Sequence, residues 1–254
     1  MRVLQELDSE PRACSYLPSE IASLNYKVML DVGPEQYESM LSRGWRRFGP
    51  MYFRPAPCPN CNECVSIRLP VAQFRLSRGQ RRVVQRTQRL RSALGVPQLD
   101  ESRLRLYQKW HDERGAKRGW SMDAIDEERY WHEFVFPHPV AHELTLWDED
   151  VEGDPALVAV SLVDITPQAV SAVYSYFDPD YAEDSPGTVQ ILRQVELARR
   201  LGRPHLYLGY RVLGCASSEY KANYRPHELL QGWPGPDEAP NWRPSAGARI
   251  ADRG

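Results

Sequence analysis

Two kinds of hydrophobic pattern follow each other along the chain. In the N-terminal part, helical spacing of apolar residues and helix-capping residues predict four helices, at 34–43, 77–94, 101–117 and 126–136. Val-rich and aromatic runs with period-two alternation predict strands at 45–53, 65–74, 142–147, 157–165, 170–177 and 204–210. One more helix is predicted between the last two strands, at 187–201. Helices, then an antiparallel meander, then a helix and a strand are typical of an α+β fold.

The end of the chain follows neither pattern. Residues 220–230 are predicted to form a short helix, and the Pro- and Gly-rich residues from Gly232 onward are predicted to be disordered. We therefore divide the chain into a Cys- and Arg-rich N-terminal region, a second domain and a tail, with boundaries at 1–95, 96–232 and 233–254.

Composition places the chain among ordinary globular proteins. Its 254 residues are 42% hydrophobic and 26% charged, with a formal net charge of −2. No apolar run approaches the roughly 20 residues of a membrane-spanning helix, and the N-terminus lacks a secretory signal. We predict a cytoplasmic protein with no membrane partner.

Arginine is concentrated in one segment. Twelve arginines, no lysine and a single acid, Glu63, occur between Arg43 and Arg91. Such a segment suggests a polyanionic partner, and Arg in place of Lys suggests bidentate contacts to phosphate or carboxylate. The alternative is a solvated helix face. The arginines predicted to bind substrate are Arg46, Arg47, Arg54, Arg68, Arg78, Arg81 and Arg82.

Three cysteines lie at strict spacing in the same segment, as Cys58-x2-Cys61-x2-Cys64. Thiolates at this spacing are half-sites for zinc or an iron–sulfur cluster, and Cys14 would supply a fourth ligand. The alternative is a set of buried thiols that order a loop. The odd total of five cysteines does not resemble a disulfide framework.

Short motifs carry a family resemblance over roughly Cys14 to Trp233. Those of the N-terminal half are Cys14-Ser-Tyr-Leu-Pro, Gly44-Trp-Arg-Arg-Phe-Gly, Tyr52-Phe-Arg-Pro, the cysteine loop, Ile67-Arg68 and Ser77-Arg-Gly-Gln-Arg-Arg82. Those of the C-terminal half are Ser171-Ala-Val-Tyr174, Phe177-Asp-Pro-Asp180, Leu206-Tyr-Leu-Gly-Tyr210 and Tyr220-Lys-Ala-Asn-Tyr-Arg-Pro-His-Glu228. Together they resemble the aminoacyl-tRNA–protein transferases, and the compact length resembles the bacterial, leucine-transferring branch.

The resemblance implies a fold and an activity. Residues 142–210 resemble the acyltransferase fold of the N-acetyltransferase superfamily, so 96–232 would be an acyltransferase-like domain. The implied reaction transfers leucine from aminoacyl-tRNA to the α-amine of a protein that begins with Asp or Glu, which marks that protein for N-end rule degradation. Eukaryotic relatives, which transfer arginine, are thought to hold an iron–sulfur cluster near the cysteine loop.

Aminolysis of an ester needs proximity, an oxyanion donor and a proton path, but no covalent nucleophile and no cofactor. The residues predicted to carry it are Lys221, Tyr174, Tyr210 and Tyr220. The chain has neither an evident catalytic triad nor the glycine-rich loop that cradles coenzyme A, which disfavours an acetyltransferase. Two competing functions stay open, those of an arginyl-tRNA–protein transferase and of a non-catalytic, metal-dependent RNA-binding module.

Overall fold

The computed structural model describes residues 1–118 and 126–245, with the side chains of 116–118 left out. The strands are β1 (Arg2–Asp8), β2 (Arg12–Ala13), β3 (Ile21–Ala22), β4 (Leu24–Leu30), β5 (Arg46–Phe48), β6 (Met51–Pro55), β7 (Cys64–Pro70), β8 (Leu90–Gly95), β9 (Ala141–Asp148), β10 (Ala156–Ile165), β11 (Ala169–Phe177), β12 (His205–Val212), β13 (Glu228–Leu230) and β14 (Trp242–Pro244). The helices are α1 (Pro34–Ser42), α2 (Arg78–Arg86), α3 (Glu101–Arg118), α4 (Glu127–Tyr130), α5 (Pro186–Arg200) and α6 (Ala216–Glu219). A π-helical turn, Trp131–Val135, continues α4, and Pro179–Asp184 and Tyr220–Asn223 form 3₁₀ turns.

Most strands belong to two sheets, and their combination with helices confirms the α+β class. The eight-stranded sheet has the order β14-β13-β7-β12-β11-β10-β9-β8, and β11 and β12 are its one parallel pair in the described residues. A four-stranded antiparallel sheet has the order β1-β4-β6-β5. No helix in the described part of the chain is long and apolar enough to cross a membrane.

Helices cover both faces of the large sheet. Neighbouring residues of β10 point to opposite faces, so Leu162 packs in the cluster of α3 and Val163 in the cluster of α5. The α3 cluster is strongly aromatic, with Tyr107, Trp110 and Tyr176 at its centre. Because helices bury both faces, the open parts of this sheet lie at its ends, where strands separate or stop.

The N-terminal hairpin β5–β6 is tied to the large sheet by a buried ion pair. Arg47 on β5 binds Asp164 on β10, and both side chains are almost fully buried. An unpaired charge at either position would be strongly destabilising, so the pair fixes where the hairpin sits. This contact gives Arg47 a structural role, and its predicted role in substrate binding stays a prediction.

Two N-terminal elements differ from the sequence prediction. The strand predicted at 45–53 is a hairpin of two strands, because Gly49 adopts a left-handed φ of +51° and turns the chain before Pro50. The helix predicted at 77–94 stops at Arg86, where the Thr87 hydroxyl donates to the Val83 carbonyl. Residues 90–95 form edge strand β8 instead. The exposed strand β1 and its partner β4 have no counterpart in the prediction.

The C-terminal end also differs. The helix predicted at 220–230 is only a 3₁₀ turn followed by β13, and residues 242–244 of the tail form β14 rather than a disordered segment. Trp242 holds the tail in place, since its ring lies over the Arg68 guanidinium at 4.3 Å and its indole N–H donates to the Ser42 carbonyl. Residues 246–254 lie outside the described part. The division at 95 and 232 stays a prediction; β7 and β8 lie in the same sheet as later strands.

Gly49 offers a direct test of how the hairpin is held. A Cβ atom there would lie 1.9 Å from the backbone oxygen of His132, and φ is already positive. We expect Gly49→Ala to lower the free energy of unfolding by on the order of 3 kcal/mol in urea denaturation. Gly95→Ala is the matched control, because no atom lies within 4 Å of the added carbon. Equal stability of the two variants would contradict this packing.

Candidate active site

The site begins where the parallel strands β11 and β12 separate. They pair through only three residue pairs, from Ala169↔His205 to Ser171↔Tyr207, and then diverge. On its other edge β12 has a bulge, because Tyr207 and Tyr210 face Arg68 and Ser66 of β7. Gly209 forms the bulge with a φ of +84°, a conformation that other residues avoid. Backbone carbonyls of β12 are therefore exposed to partners other than a strand.

Two cationic side chains donate hydrogen bonds to those carbonyls. The Lys221 ammonium donates to the Tyr210 carbonyl at 2.7 Å, and the Arg46 guanidinium reaches the Gly209 carbonyl at 3.4 Å. A Cβ atom on Gly209 would lie 3.5 Å from Lys221 Nζ and 4.0 Å from Arg46 Nε. We name this arrangement of Gly209, Arg46 and Lys221 the cation pair. It joins the N-terminal hairpin, β12 and the segment after α6.

The cation pair is electrostatically unusual. Arg46 is only 5% exposed, lies over the rings of Tyr207 and Tyr210, and its Nε has no hydrogen-bond partner in the described structure. Burial and then the charge of Arg46 lower the pKa of Lys221 to about 8. No carboxylate in the described residues forms an ion pair with either side chain. Their contacts are with carbonyl dipoles and, for Arg46, with aromatic rings.

A cavity of about 460 Å³ lies next to this point, between the cysteine loop and the aromatic cluster of α3. Phe48, Tyr107, Tyr174 and Tyr210 are among its walls, whereas Arg46 and Lys221 are not among its described lining residues. A larger groove of about 990 Å³ runs between β1, β4 and α1, and neither the four aromatic residues nor the two cations are among its described lining residues. We take the smaller cavity as the candidate site because it adjoins the separation of β11 and β12.

A hydrogen-bonded pair of neutral groups lines this cavity. His111 Nε2 lies 3.0 Å from the Tyr174 hydroxyl. Burial lowers the pKa of His111, and burial together with nearby Glu133 raises the pKa of Tyr174 to about 12. Sequence analysis identified Tyr174 but missed His111, which occupies the inward face of α3 four residues after Tyr107. The i, i+4 spacing of Tyr107 and His111, which places both on one face of the helix, is the sequence pattern that could have identified His111.

The other tyrosines are placed differently. The Tyr210 hydroxyl donates to the Gly44 carbonyl at 2.6 Å and so holds β12 against the N-terminal hairpin. Tyr220 is 44% exposed beside Lys221. Of the four residues predicted to carry catalysis, Tyr174 and Tyr210 contact the cavity, Lys221 lies at the bulge and Tyr220 lies at the surface.

The predicted substrate-binding arginines separate into an interior and a surface group. Arg68 pairs with Glu228 and the Tyr207 hydroxyl, and Arg54 donates to the Pro234 carbonyl over the Trp45 ring. The surface group, on α2, is Arg78, Arg81 and Arg82. Arg81 donates to the Leu76 carbonyl, and the described structure shows no ion pair for any of the three. The surface group is therefore open to an external anion, whereas Arg54 and Arg68 contact other parts of the fold. Substrate binding by these arginines stays a prediction.

The four cysteines predicted to bind metal gather at one wall of the cavity without converging as ligands. Backbone N–H groups of Tyr16 and Leu17 donate to the Cys14 sulfur at 3.4 Å, and the Cys58 thiol approaches the Ala56 carbonyl at 3.7 Å. Burial and the neighbouring cysteines, Cys61 included, raise the pKa of Cys64 to about 12. In the part of the chain that is described, no three Cys, His, Asp or Glu residues are arranged to hold a metal ion. The zinc or iron–sulfur site stays a prediction.

Comparison with known proteins identifies the chain's relatives. Residues 12–82 match the N-terminal and residues 102–231 the C-terminal sequence model of the arginine-tRNA-protein transferases. The chain belongs to this family. The resemblance in its short motifs is confirmed, and the protein is a transferase. The family match ends at residue 231, so the segment of residues 232–245, which carries β14 and is called the strap below, lies beyond it.

Individual relatives cover nearly the whole chain. An aspartate/glutamate leucyltransferase of Campylobacter jejuni (strain 81-176) is 34% identical over 86% of this chain and 90% of its own length. One from Chromohalobacter salexigens is 36% identical over 87% of this chain and 88% of its own. Among solved structures, FemX matches with a TM-score of 0.47 and 8% identity over 84% of this chain and 81% of that chain.

The pKa of Lys221 can be tested through stability. Between pH 8 and the ordinary lysine pKa, the unfolded chain holds a proton that the folded protein lacks, so folding becomes more favourable as pH rises. From pH 7.5 to 9.5 we expect this transferase to gain up to about 2 kcal/mol of unfolding free energy relative to Lys221→Met, measured in urea. Parallel pH profiles for the two proteins would contradict the lowered pKa.

Proposed function

We propose that this transferase moves leucine from leucyl-tRNA to the α-amine of proteins that begin with Asp or Glu. The observation that carries the proposal is a cavity with aromatic walls beside the cation pair, in a chain that is similar to leucyltransferases over most of its length. The cavity accepts an apolar side chain, and the cations accept an acidic one. Both lie at the gap between β11 and β12, where the two substrates would have to meet.

The reaction needs one bond formed and one broken. The acceptor's neutral α-amine attacks the ester carbonyl carbon, the C–N bond forms, and the C–O bond to the ribose breaks. One proton leaves the amine and one is taken up by the ribose oxygen. The Tyr174–His111 pair borders the cavity and can pass a proton from that nitrogen to that oxygen, because both groups are neutral at physiological pH.

Lys221 takes part through its charge. Its Nζ is bound to the Tyr210 carbonyl beside a second cation, an arrangement suited to attracting an anion rather than attacking an ester. Tyr210 acts as a positioning residue because its hydroxyl is engaged by Gly44. Tyr220 lies on the outer side of Lys221, and we assign it to the rim that the tRNA end would pass.

The walls of the cavity favour leucine over arginine as the transferred residue. An arginyl side chain would need a carboxylate to receive its guanidinium. Of the two glutamates that line the cavity, Glu133 is already paired with Arg129 at 2.8 Å, and Glu20 is half-buried. The aromatic part of the wall includes Phe48, Phe53 and Tyr107, against which burial of a leucyl side chain is favourable.

Further features follow from family membership. We infer an N-acetyltransferase-like arrangement for the sheet around the separated parallel strands, a cytoplasmic location where charged tRNA is available, and a role in N-end rule degradation. Aminolysis of an ester requires no metal, and the cysteine loop enters none of the steps above. Metal analysis of protein purified without oxygen tests the predicted ligands Cys14, Cys58, Cys61 and Cys64.

A transfer assay tests the reaction and identifies the amino acid. Purified protein is mixed with a full set of charged tRNAs and a peptide that begins with Asp, and the product is weighed by mass spectrometry. We expect a mass gain of one leucine residue. A gain of one arginine residue would assign the arginyl alternative, and an unchanged peptide would refute aminoacyl transfer to acidic N-termini.

Salt dependence of tRNA binding tests the surface arginines of α2. Each phosphate contact contributes about one to the slope of log affinity against log salt concentration. We expect Arg78→Gln combined with Arg82→Gln to weaken binding and lower the slope by about two. Arg105→Gln, an exposed change on α3 in an i, i+4 pair with Glu101, is the control. A slope equal to that of the unchanged protein would leave α2 as a solvated face.

A further inference from the structure

The cation pair lacks an anion among the described residues. Two positive charges lie side by side at Gly209, and one of them is almost completely buried. Their hydrogen-bond acceptors in the described structure are neutral carbonyls: those of Tyr210 and Gly209, and that of Trp45 for the Arg46 Nη1. Burying such charges is unfavourable unless an anion pairs with them. Arg46 Nε, buried and without a partner in that structure, is the donor that such an anion would use.

Gly209 leaves the position of a Cβ atom free beside both cations. A single added carbon there would be in van der Waals contact with Lys221 Nζ and close to Arg46 Nε. Glycine at this position therefore keeps open a volume that any other residue would fill. Planar Arg and point-charge Lys together suit a carboxylate, which can accept hydrogen bonds from both.

From this we propose that the cation pair binds the side-chain carboxylate of the acceptor's first residue, the Asp or Glu that defines the substrate class. This rests on the proposed function and assigns its specificity to Arg46 and Lys221. The reacting α-amine is only three bonds from the side-chain carboxyl carbon in Asp and four in Glu, so a carboxylate at Gly209 places the amine at the gap between β11 and β12. A backbone phosphate of tRNA is a poorer match, because the site is interior and the exposed arginines lie on α2.

Other cations near the cavity fit this role less well. Arg129 forms an ion pair with Glu133, and Arg47 and Arg68 are paired with Asp164 and Glu228. An incoming carboxylate at these positions would have to displace an existing one. Arg12, which also lines the cavity, is exposed and donates to the Tyr26 hydroxyl, so a carboxylate bound there would stay in contact with solvent. At the cation pair it would displace only carbonyl contacts, and the Arg46 Nε would gain the hydrogen bond that it lacks.

The test compares peptides that begin with Asp and with Asn, which have the same shape and differ in charge. We expect the unchanged protein to bind the Asp peptide at least about tenfold more tightly in fluorescence anisotropy without tRNA. In Lys221→Met this preference should fall toward one, and the KM for the Asp peptide should rise at least about tenfold. The KM for leucyl-tRNA should change less than about twofold, because the exposed arginines of α2 are unaltered. Arg46→Lys, which keeps the positive charge but removes the planar guanidinium, should give an intermediate loss of the preference for the Asp peptide.

Several results would overturn the assignment. The first is an unchanged preference for the Asp over the Asn peptide in folded Lys221→Met. The second is a fall in kcat with no change in the KM for the peptide. The third is a rise in the KM for leucyl-tRNA instead of the KM for the peptide, which would assign the site to a phosphate group. Circular dichroism checks that each variant is folded, and Arg105→Gln is the control. Failure of the proposed function is distinguishable: the unchanged protein would then transfer nothing to either peptide, whereas the anisotropy preference would still report on the cation pair.

Discussion

The separation of β12 from β11 is the feature on which the rest of the site depends. Buried carbonyl groups must find hydrogen-bond donors, and a strand that leaves its neighbour loses them. Here the donors are Arg46, from the N-terminal hairpin, and Lys221, from the segment after α6. Gly209 allows both to approach because it has no side chain and adopts a positive φ. Distant parts of the chain thus converge on one bulge.

Contacts around the bulge join the two halves of the family pattern. The hairpin that presents Arg46 is held by the buried Arg47–Asp164 pair and by the Tyr210 hydroxyl on the Gly44 carbonyl. The strap adds Trp233, whose ring lies 6.2 Å from that of Tyr210. A protein that only bound RNA through its arginine helix would have no requirement for these contacts. In the proposed function, the site forms between the two halves.

Sequence reasoning succeeds where local patterns decide the outcome and fails where tertiary contacts do. Helices α1, α3 and α5 and strands β9 to β12 follow from periodicity, and the α+β class follows from their order. The turn at Gly49 and strand β14 depend on long-range hydrogen bonds, from the Gly49 N–H to the Glu133 carbonyl and from the Trp242 indole to the Ser42 carbonyl, that no local pattern contains. A family motif indicates Lys221, but the sequence does not distinguish Arg46, which lies beside Lys221 in the structure, from the other arginines of its segment. A run of charges does not show which members the fold buries.

The most direct measurement is a crystal structure with 3′-leucylamido-3′-deoxyadenosine, an amide that mimics the end of leucyl-tRNA and cannot transfer its leucine. We expect the leucyl side chain to lie in the aromatic cavity against Phe48 and Tyr174. Its carbonyl should lie at the gap between β11 and β12, within reach of an amine whose carboxylate occupies the cation pair. Binding of the analogue in the groove beside β1 or along α2, with the aromatic cavity empty, would contradict a site formed at this gap.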